Sequence, residues 1–259
     1  MDLDIKGRKA LVTASSRGLG KACAIALAKE GVQVTLNGLN ATNLQVAAEE
    51  VRRNGGIVVN TVVADINTQL GRLKLIEACS EPDILVNNNW GPPPGRWQDF
   101  GYEDWMQAVE ANMIAPIMLI KAVVGGMQQR KFGRIVNITS QMVKSPFAVM
   151  GLSAAARTGL TAACKALSRE TAQYNVTINN LLPERIDTER TRYMAQRQAD
   201  ASGISYDEAR RDIVESIAAK RLGKPEELGA ACAFLCSEAA SYISGQNLQL
   251  DGGSYRGTF

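Results

Sequence analysis

Short apolar runs rich in valine, isoleucine and leucine alternate along the chain with amphipathic segments. Runs that are apolar throughout, and not at every second position, are typical of strands buried on both faces, and each is followed by a segment with helical periodicity. The predicted strands are 9–14, 32–36, 57–63, 84–87, 134–139, 177–181 and 246–250. The predicted helices are 19–30, 44–54, 70–79, 105–130, 153–174 and 226–236.

This order of elements predicts an α/β fold, a Rossmann-type doubly wound parallel sheet with helices on both faces. A length of 259 residues suits one such domain, 1–259, and no repeat or linker divides the chain. Sheets of this kind bind ligands at the carboxyl ends of their strands. We therefore expect the chemistry to lie at that edge.

A polar insertion rich in arginine and glutamate, 187–220, interrupts the alternation. It predicts two helices with a break at Ala201-Ser-Gly203. Two interpretations remain open: a helical lid over the site, or a solvated helical pair without a covering role.

Composition narrows the class of protein. A hydrophobic fraction of 46% and a charged fraction of 21% are typical of a soluble globular protein. No stretch suggests the ~20 apolar residues of a membrane span, and the first four residues lack a signal-peptide pattern, so a cytoplasmic protein is expected. The formal charge of +3 is spread along the chain, which argues against a nucleic-acid partner.

The five cysteines show neither metal-ligand spacing nor a histidine partner, since the chain has no histidine. We interpret them as buried thiols of a reducing compartment and expect no metal site.

A glycine-rich turn, Thr13-Ala-Ser-Ser-Arg-Gly-Leu-Gly20, follows the first predicted strand and opens the first predicted helix. Glycines let the backbone approach a pyrophosphate, and the helix start presents free N–H groups and a partial positive charge. The candidate cofactor-binding residues here are Thr13, Ser15, Ser16, Arg17, Gly18, Leu19 and Gly20.

The residues after the second strand indicate which dinucleotide binds. An NAD site usually has a carboxylate there for the ribose, whereas this chain reads Leu36-Asn-Gly-Leu-Asn40. Arg17 can instead pair with a 2′-phosphate. We expect NADP in preference to NAD.

The stretch between Asn137 and Glu170 carries the most specific signal, with a serine at 140, a serine at 153 and an arginine at 157. Together with the glycine-rich turn, Asn179-Asn-Leu-Leu-Pro183 and Asp251-Gly-Gly253, it resembles the short-chain dehydrogenase/reductase family, and within that family the 3-oxoacyl carrier-protein reductase-like proteins. The resemblance spans essentially the whole chain.

The resemblance implies roles for further residues. Asp65 and the adjacent Ile66 would contact the adenine, Asn87 would lie along the adenosine ribose, and Thr188 would bind the nicotinamide carboxamide. Asn112 matches the asparagine whose backbone carbonyl holds a water near the active-site lysine of the family.

Two working residues of the family are changed here: Ser153 stands at the usual tyrosine position and Arg157 at the usual lysine position. A phenol can exchange a proton near neutral pH when a cation lowers its pKa, whereas a serine hydroxyl is a weaker acid and arginine keeps its proton. Three sources of the missing proton remain open: Lys144, Glu184, or a water ordered by Ser140 and Ser153.

Other departures flank the expected nicotinamide. Trp90 stands where the family has a small residue, and Ala14 replaces the first glycine of the phosphate turn, a change expected to be tolerated unless that residue needs a positive φ. Trp90 either lines the substrate pocket, which we favour, or crowds the ribose. Glu184 replaces a glycine; it either lies beside the nicotinamide, or points to solvent or pairs with Arg185 or Arg157.

The leading hypothesis is an atypical NAD(P)-dependent oxidoreductase acting on a small carbonyl or alcohol substrate. One alternative is a non-redox member, a lyase or dehalogenase-like enzyme in which Ser140 and Arg157 control an oxyanion. Another is a catalytically silent nucleotide-binding protein. We further expect a homo-oligomer, a dimer or tetramer built on 105–130, 153–174 and 246–259.

Overall fold

The computed structural model describes residues 2–55 and 57–258. Met1, Gly56 and Phe259, which fall within the predicted domain 1–259, lie outside the described residues, as does the end of the predicted assembly segment 246–259.

Seven parallel strands form one sheet in the order β3-β2-β1-β4-β5-β6-β7. The strands are β1 (Lys9–Val12), β2 (Gln33–Gly38), β3 (Ile57–Val63), β4 (Ile84–Asn87), β5 (Gly133–Ile138), β6 (Val176–Pro183) and β7 (Asn247–Leu250). The strand order reverses between β1 and β4, so the connections leave a crevice there at the carboxyl edge.

Nine α-helices accompany these strands in the described part of the chain. They are α1 (Gly18–Lys29), α2 (Ala41–Arg53), α3 (Gln69–Ala78), α4 (Tyr102–Val109), α5 (Ala115–Gln129), α6 (Gly151–Thr171), α7 (Glu189–Ser202), α8 (Tyr206–Ser216) and α9 (Pro225–Leu235). Each predicted strand and helix overlaps an observed one, and the predicted Rossmann-type α/β fold is confirmed.

Two apolar cores flank the sheet because its central strands are buried on both faces. One core joins α1, α2 and α9 to one face, and the other joins α3, α5 and α6 to the opposite face. Helices α1 and α9 approach so closely that a Cβ on Gly229 would lie 2.6 Å from the carbonyl oxygen of Ala22. Glycine is therefore required at that crossing.

Helix α4, a π-helical turn at Glu110–Ile114 and α5 form one continuous helical run, Tyr102–Gln129. By length and composition this run could cross a membrane, with a mean hydropathy of 1.6 over its most apolar window, which corrects the expectation that no stretch approaches a membrane span. Its inner residues, including Leu119, Val123 and Met127, are buried in the second core. Only 39% of that apolar window is buried in the structure, so packing in the core accounts for part of its apolar composition.

Asparagine side chains cross four neighbouring strands in a line. The Asn87 amide donates to Oδ1 of Asn137 at 2.9 Å, Asn137 donates to Asn180 at 2.9 Å, and Asn180 donates to Asn247 at 2.8 Å. These residues are also paired in the strand register. We call this line the asparagine ladder.

The insertion 187–220 forms two packed helices, α7 and α8. They separate at Gly203, whose φ of +66° ends α7 in the left-handed conformation, as the break at 201–203 predicted. The first turn of α7 reaches the carboxyl edge of the sheet. Its role as a lid stays a prediction.

Candidate active site

A cleft of about 360 Å³ opens at the carboxyl edge of the sheet. Its walls are the phosphate turn, the loops after β2 to β6, and the first turn of α7. Most of the predicted site residues line it: Ser16, Arg17, Gly18, Leu19, Asp65, Ile66, Ser140, Ser153, Arg157 and Thr188.

The phosphate turn is held by side chains from neighbouring strands. Ala14 has a φ of +43°, a conformation that favours glycine, so the condition under which alanine was expected to be strained is met here. Its N–H donates to Oδ1 of Asn37 at 3.1 Å, and its carbonyl accepts the Asn88 amide at 3.1 Å. A Cβ on Gly20 would lie 2.6 Å from that same carbonyl oxygen, so the turn and α1 pack without room for a side chain.

Thr13, Ser15 and Gly20 support this turn from behind and do not line the cleft. The Thr13 hydroxyl donates to the Asn88 carbonyl at 2.7 Å, and the Ser15 hydroxyl donates to the Val12 carbonyl at 2.8 Å. These two hydroxyls are thus bonded to the backbone, and the assignment of Thr13, Ser15 and Gly20 to the cofactor site stays a prediction. The turn presents Ser16 to Leu19 instead.

Arg17 contacts the far wall of the cleft. Its guanidinium pairs with the Glu189 carboxylate on α7 at 2.6 Å and lies 5.6 Å from the ring of Trp90. The Arg190 guanidinium lies 5.3 Å from the same ring. Trp90 therefore lines the cleft, half-exposed and near cations of both walls. That it borders the substrate and not the nicotinamide ribose stays a prediction.

These features fit a nicotinamide dinucleotide. The turn at the amino end of α1 offers backbone N–H groups to a pyrophosphate. Gly18, at φ +56°, has no side chain that would stand between these N–H groups and the pyrophosphate. Beyond β2, the cleft is lined by Gly38, Leu39 and Asn40, without a carboxylate among these residues, next to Arg17.

Beside the end of β2, Asp65 and Ile66 line the cleft, whereas Asn87 does not. The Asn87 side chain is buried in the asparagine ladder because it points between strands, which corrects its expected place along the ribose. Asn88 and Asn89, which follow it, line the cleft instead.

Ser140 and Ser153 meet Arg157 at the catalytic end. Arg157 is buried; its Nη1 donates to the carbonyls of Ile138 and Thr139 at 2.8 and 2.9 Å, and its Nε donates to Oγ of Ser153 at 3.2 Å. Oγ of Ser140 accepts the N–H of Met142 at 3.2 Å. Each serine oxygen thus already accepts one hydrogen bond, which leaves its hydroxyl proton free to be donated into the cleft.

Burial, and to a smaller extent the nearby charge of Arg190, lower the pKa of Arg157 to about 10. Arg157 is therefore still cationic at neutral pH, although it is held in an apolar surrounding.

Lys144 and Glu184 lie away from this cleft. The Lys144 ammonium bonds Oε1 of Gln249 at 3.3 Å and lies 5.4 Å from the ring of Tyr255. Because successive residues of an extended chain point to opposite sides, Pro183 lines the cleft and Glu184 faces a second cavity of about 340 Å³. Both placements correct the expectation that these groups border the reacting carbonyl.

Burial raises the pKa of Glu184, and the Arg185 guanidinium, 3.8 Å away, opposes that rise. The raised pKa is thus a property of the second cavity and not of the cleft.

Asn112 lies in the π-helical turn, buried behind the cleft, where its amide donates to the Ala108 carbonyl at 3.4 Å. The neighbouring Ala111 carbonyl accepts the Asn89 amide at 2.9 Å and so ties this turn to the cleft wall. The role of the Asn112 carbonyl stays a prediction.

Sequence reasoning missed Glu189 and Arg190. The insertion was noted as rich in arginine and glutamate, but its pattern does not indicate which of those side chains return to the cleft. The position of the first turn of α7 in the structure shows that Glu189 and Arg190 line the cleft.

Comparison with known proteins places this site in a family. Residues 13–255 match the family model described as enoyl-(acyl carrier protein) reductase. The chain is 34% identical to the NADPH-dependent reductase BacG of Bacillus subtilis over 96% of this chain and 98% of BacG. It is 32% identical to the 3-oxoacyl-[acyl-carrier-protein] reductase FabG of Escherichia coli over 98% and 99% of the two chains.

Solved structures of reductases share this fold over nearly the whole chain. The structure of YwfH, an NADPH-dependent reductase involved in bacilysin biosynthesis, matches with a TM-score of 0.91 at 32% identity over 97% of this chain and 100% of YwfH. L-sorbose reductase from Gluconobacter frateurii, complexed with NADPH and L-sorbose, matches with a TM-score of 0.93 at 29% identity over 99% and 100%. The chain belongs to the short-chain dehydrogenase/reductase family.

Proposed function

We propose that this protein is an NADPH-dependent reductase of a small carbonyl compound. The observation that supports it best is the pair of hydroxyls, Ser140 and Ser153, which line the catalytic end of the cleft with their protons free. Two such donors can polarise a carbonyl oxygen and stabilise the negative charge that develops on it. The NADPH-dependent relatives BacG and YwfH support the cofactor.

The fit of the cleft supports a defined placement of NADPH. Ser16, Gly18 and Leu19 would hold the pyrophosphate, Arg17 the 2′-phosphate, Asp65 and Ile66 the adenine, and Thr188 the carboxamide. Arg17 is the residue on which the preference for NADPH over NADH depends.

When bound, the nicotinamide supplies the hydride that reaches the carbonyl carbon. Ser153 gives its hydroxyl proton to the oxygen as negative charge develops there, and it regains a proton from water in the cleft. Arg157, which donates to Oγ of Ser153, stabilises the transient negative charge on that oxygen. The balance is one hydride and one proton added across the C=O bond.

The test is NADPH oxidation followed at 340 nm with a panel of activated ketones and diketones. Ser153→Ala should lower kcat about 100-fold, the usual effect of losing one proton-transfer or oxyanion-stabilising group. Ser168→Ala is the matched control, because Ser168 is also buried on α6 but bonds the Lys165 carbonyl away from the cleft.

This assay, together with a fluorescence titration of NADPH binding, separates the alternatives. NADPH binding without reduction of any ketone would favour the catalytically silent protein, and absence of NADPH binding would favour the non-redox enzyme. Equal rates for native protein and Ser153→Ala would refute the role of Ser153.

We also propose a cytoplasmic homo-oligomer. The five cysteines are all free and buried, as is typical of a reducing compartment. Strand β7 is an edge of the sheet and exposes Leu248, which supports assembly through that edge.

A further inference from the structure

The catalytic end of the cleft holds two guanidinium groups without a carboxylate between them. Nη2 of Arg157 lies 3.4 Å, and Nη2 of Arg190 lies 3.9 Å, from the point where a Cβ on Gly91 would stand. Gly91 has no side chain to fill that space, and it lines the cleft together with both arginines. Two cations thus face the same small volume.

The Nη2 nitrogens of both groups border this volume. In Arg157, Nε and Nη1 are occupied by Ser153 and the carbonyls at the end of β5, so Nη2 is the nitrogen left to bind a ligand. In Arg190, one N–H of Nη2 donates to the Pro92 carbonyl at 2.7 Å, which fixes the guanidinium against the cleft wall. Both groups are held in place before a ligand arrives.

The carboxylates nearby are already committed elsewhere. Among the described residues that line the cleft, the acids are Asp65 and Glu189. Asp65 accepts the N–H of Asn67 in its own turn, and Glu189 is paired with Arg17. Two cations that converge in a partly buried site repel each other, and an anion placed between them removes that repulsion.

We propose that Arg157 and Arg190 form an anion-binding subsite that selects a substrate bearing a free carboxylate, an oxo acid in which the carboxylate lies one or two bonds from the carbonyl. This inference rests on the proposed reductase function. The spacing follows from Arg157 itself: its Nε contacts Ser153, which would hold the carbonyl oxygen, and its Nη2 faces the anion. A planar carboxylate matches the planar donor groups of arginine.

Apolar contacts suggest the rest of the substrate. Trp90 and Met150 line the same end of the cleft, so an aromatic or aliphatic tail has a surface on which to pack. A thioester or ester at the place of the carboxylate would leave both guanidiniums unpaired.

The first experiment compares 2-oxo-4-phenylbutanoate with its ethyl ester as substrates for NADPH oxidation. The native protein should reduce the acid with a kcat/KM at least 30-fold above that of the ester. Arg190→Gln should lower kcat/KM for the acid at least 10-fold and change that for the ester less than 3-fold. Arg192→Gln, which removes an exposed charge from the same helix outside the cleft, should change neither.

The second experiment needs no turnover. Isothermal titration calorimetry measures 4-phenylbutanoate and 4-phenylbutanamide binding to protein saturated with NADP⁺, so that the phosphate site of Arg17 is filled. The acid should bind at least 10-fold more tightly than the amide, and Arg190→Gln should abolish that difference. Arg157→Lys, which keeps the charge but loses the planar group, should weaken the acid several-fold.

The outcomes are separable from those of the proposed function. Equal affinity for acid and amide, or a preference that survives Arg190→Gln, would overturn the anion subsite even if neutral ketones are reduced. Carboxylate binding that depends on Arg190, with no ketone reduced, would support the subsite and refute the reductase. If Arg157→Lys weakened NADP⁺ and left the acid unchanged, Arg157 would belong to the cofactor site and the proposed pair would fail.

Discussion

The ion pair between Arg17 and Glu189 makes a quantitative prediction about cofactor affinity. If Arg17 binds the 2′-phosphate of NADPH, the phosphate must displace the Glu189 carboxylate, which now lies 2.6 Å from the guanidinium. Replacing Glu189 by Gln removes that competitor and one negative charge beside the incoming phosphate. NADPH should then bind more tightly.

The magnitude follows from exposure. The two side chains are 55% and 52% exposed, and pairs this exposed are worth about 0.2–1 kcal/mol. Glu189→Gln should therefore lower the Kd for NADPH by about 1.4- to 5-fold at low salt. The gain should shrink above about 0.3 M salt, because screening weakens both the pair and the repulsion.

Fluorescence titration measures these affinities, with NADH as the comparison. NADH lacks the 2′-phosphate, so its Kd should change by less than the Kd for NADPH. Arg17→Glu should weaken NADPH far more than NADH, and it should remove the effect of Glu189→Gln in the double variant. Unchanged NADPH affinity in Glu189→Gln, or equal changes for both cofactors, would refute the competition.

Three further predictions concern the turn, the helix and the assembly. Ala14→Gly should relieve the left-handed backbone of an alanine, which costs about 1–2 kcal/mol, and the gain is offset in part by the freedom that glycine adds to the unfolded chain. Calorimetry should therefore show a Tm about 2–4 °C higher. An unchanged or lower Tm would contradict the strain. Ser153→Tyr with Arg157→Lys should raise NADPH-dependent reduction of an activated diketone above the native rate, while each change alone does little; a double variant that binds NADPH without gaining activity would place the obstacle elsewhere, at Trp90 first. Light scattering at micromolar concentration should show a native dimer or tetramer that Leu248→Asp reduces in size, and a native monomer would refute the assembly.

Much of the fold follows from the sequence because parallel strands buried on both faces read as continuous apolar runs. The runs ending at Val12 and Asn87 mark strands whose carboxyl ends meet at the crevice, which places the phosphate turn and the loop after β4 at one edge. The residues of the predicted catalytic end were indicated by the resemblance to the family and not by the apolar pattern. Ser140 follows a strand, and Ser153 and Arg157 are four residues apart on one helix face.

The remainder depends on long-range geometry. Arg17 and Glu189 are separated by 172 positions, and no local pattern pairs them. Glu184 turned away from the cleft because it continues the alternation of β6, a register that the sequence alone does not reveal. The positive φ of Ala14 is stabilised by Asn37 on β2 and by Asn88 in the loop after β4.

The asparagine ladder has a consequence for how this chain avoids misfolding. Strands made of valine, isoleucine and leucine can slide past one another by two residues and still bury apolar side chains, so apolar content alone discriminates poorly between alignments. A slide of β5 would separate Asn137 from both Asn87 and Asn180 and leave buried amides without partners, at about 1–3 kcal/mol for each unsatisfied group. The ladder thus selects one alignment: it penalises wrong alignments more than it stabilises the right one. It also fixes the relative positions of the ends of β4 and β5, from which the loop after β4 and Ser140 follow.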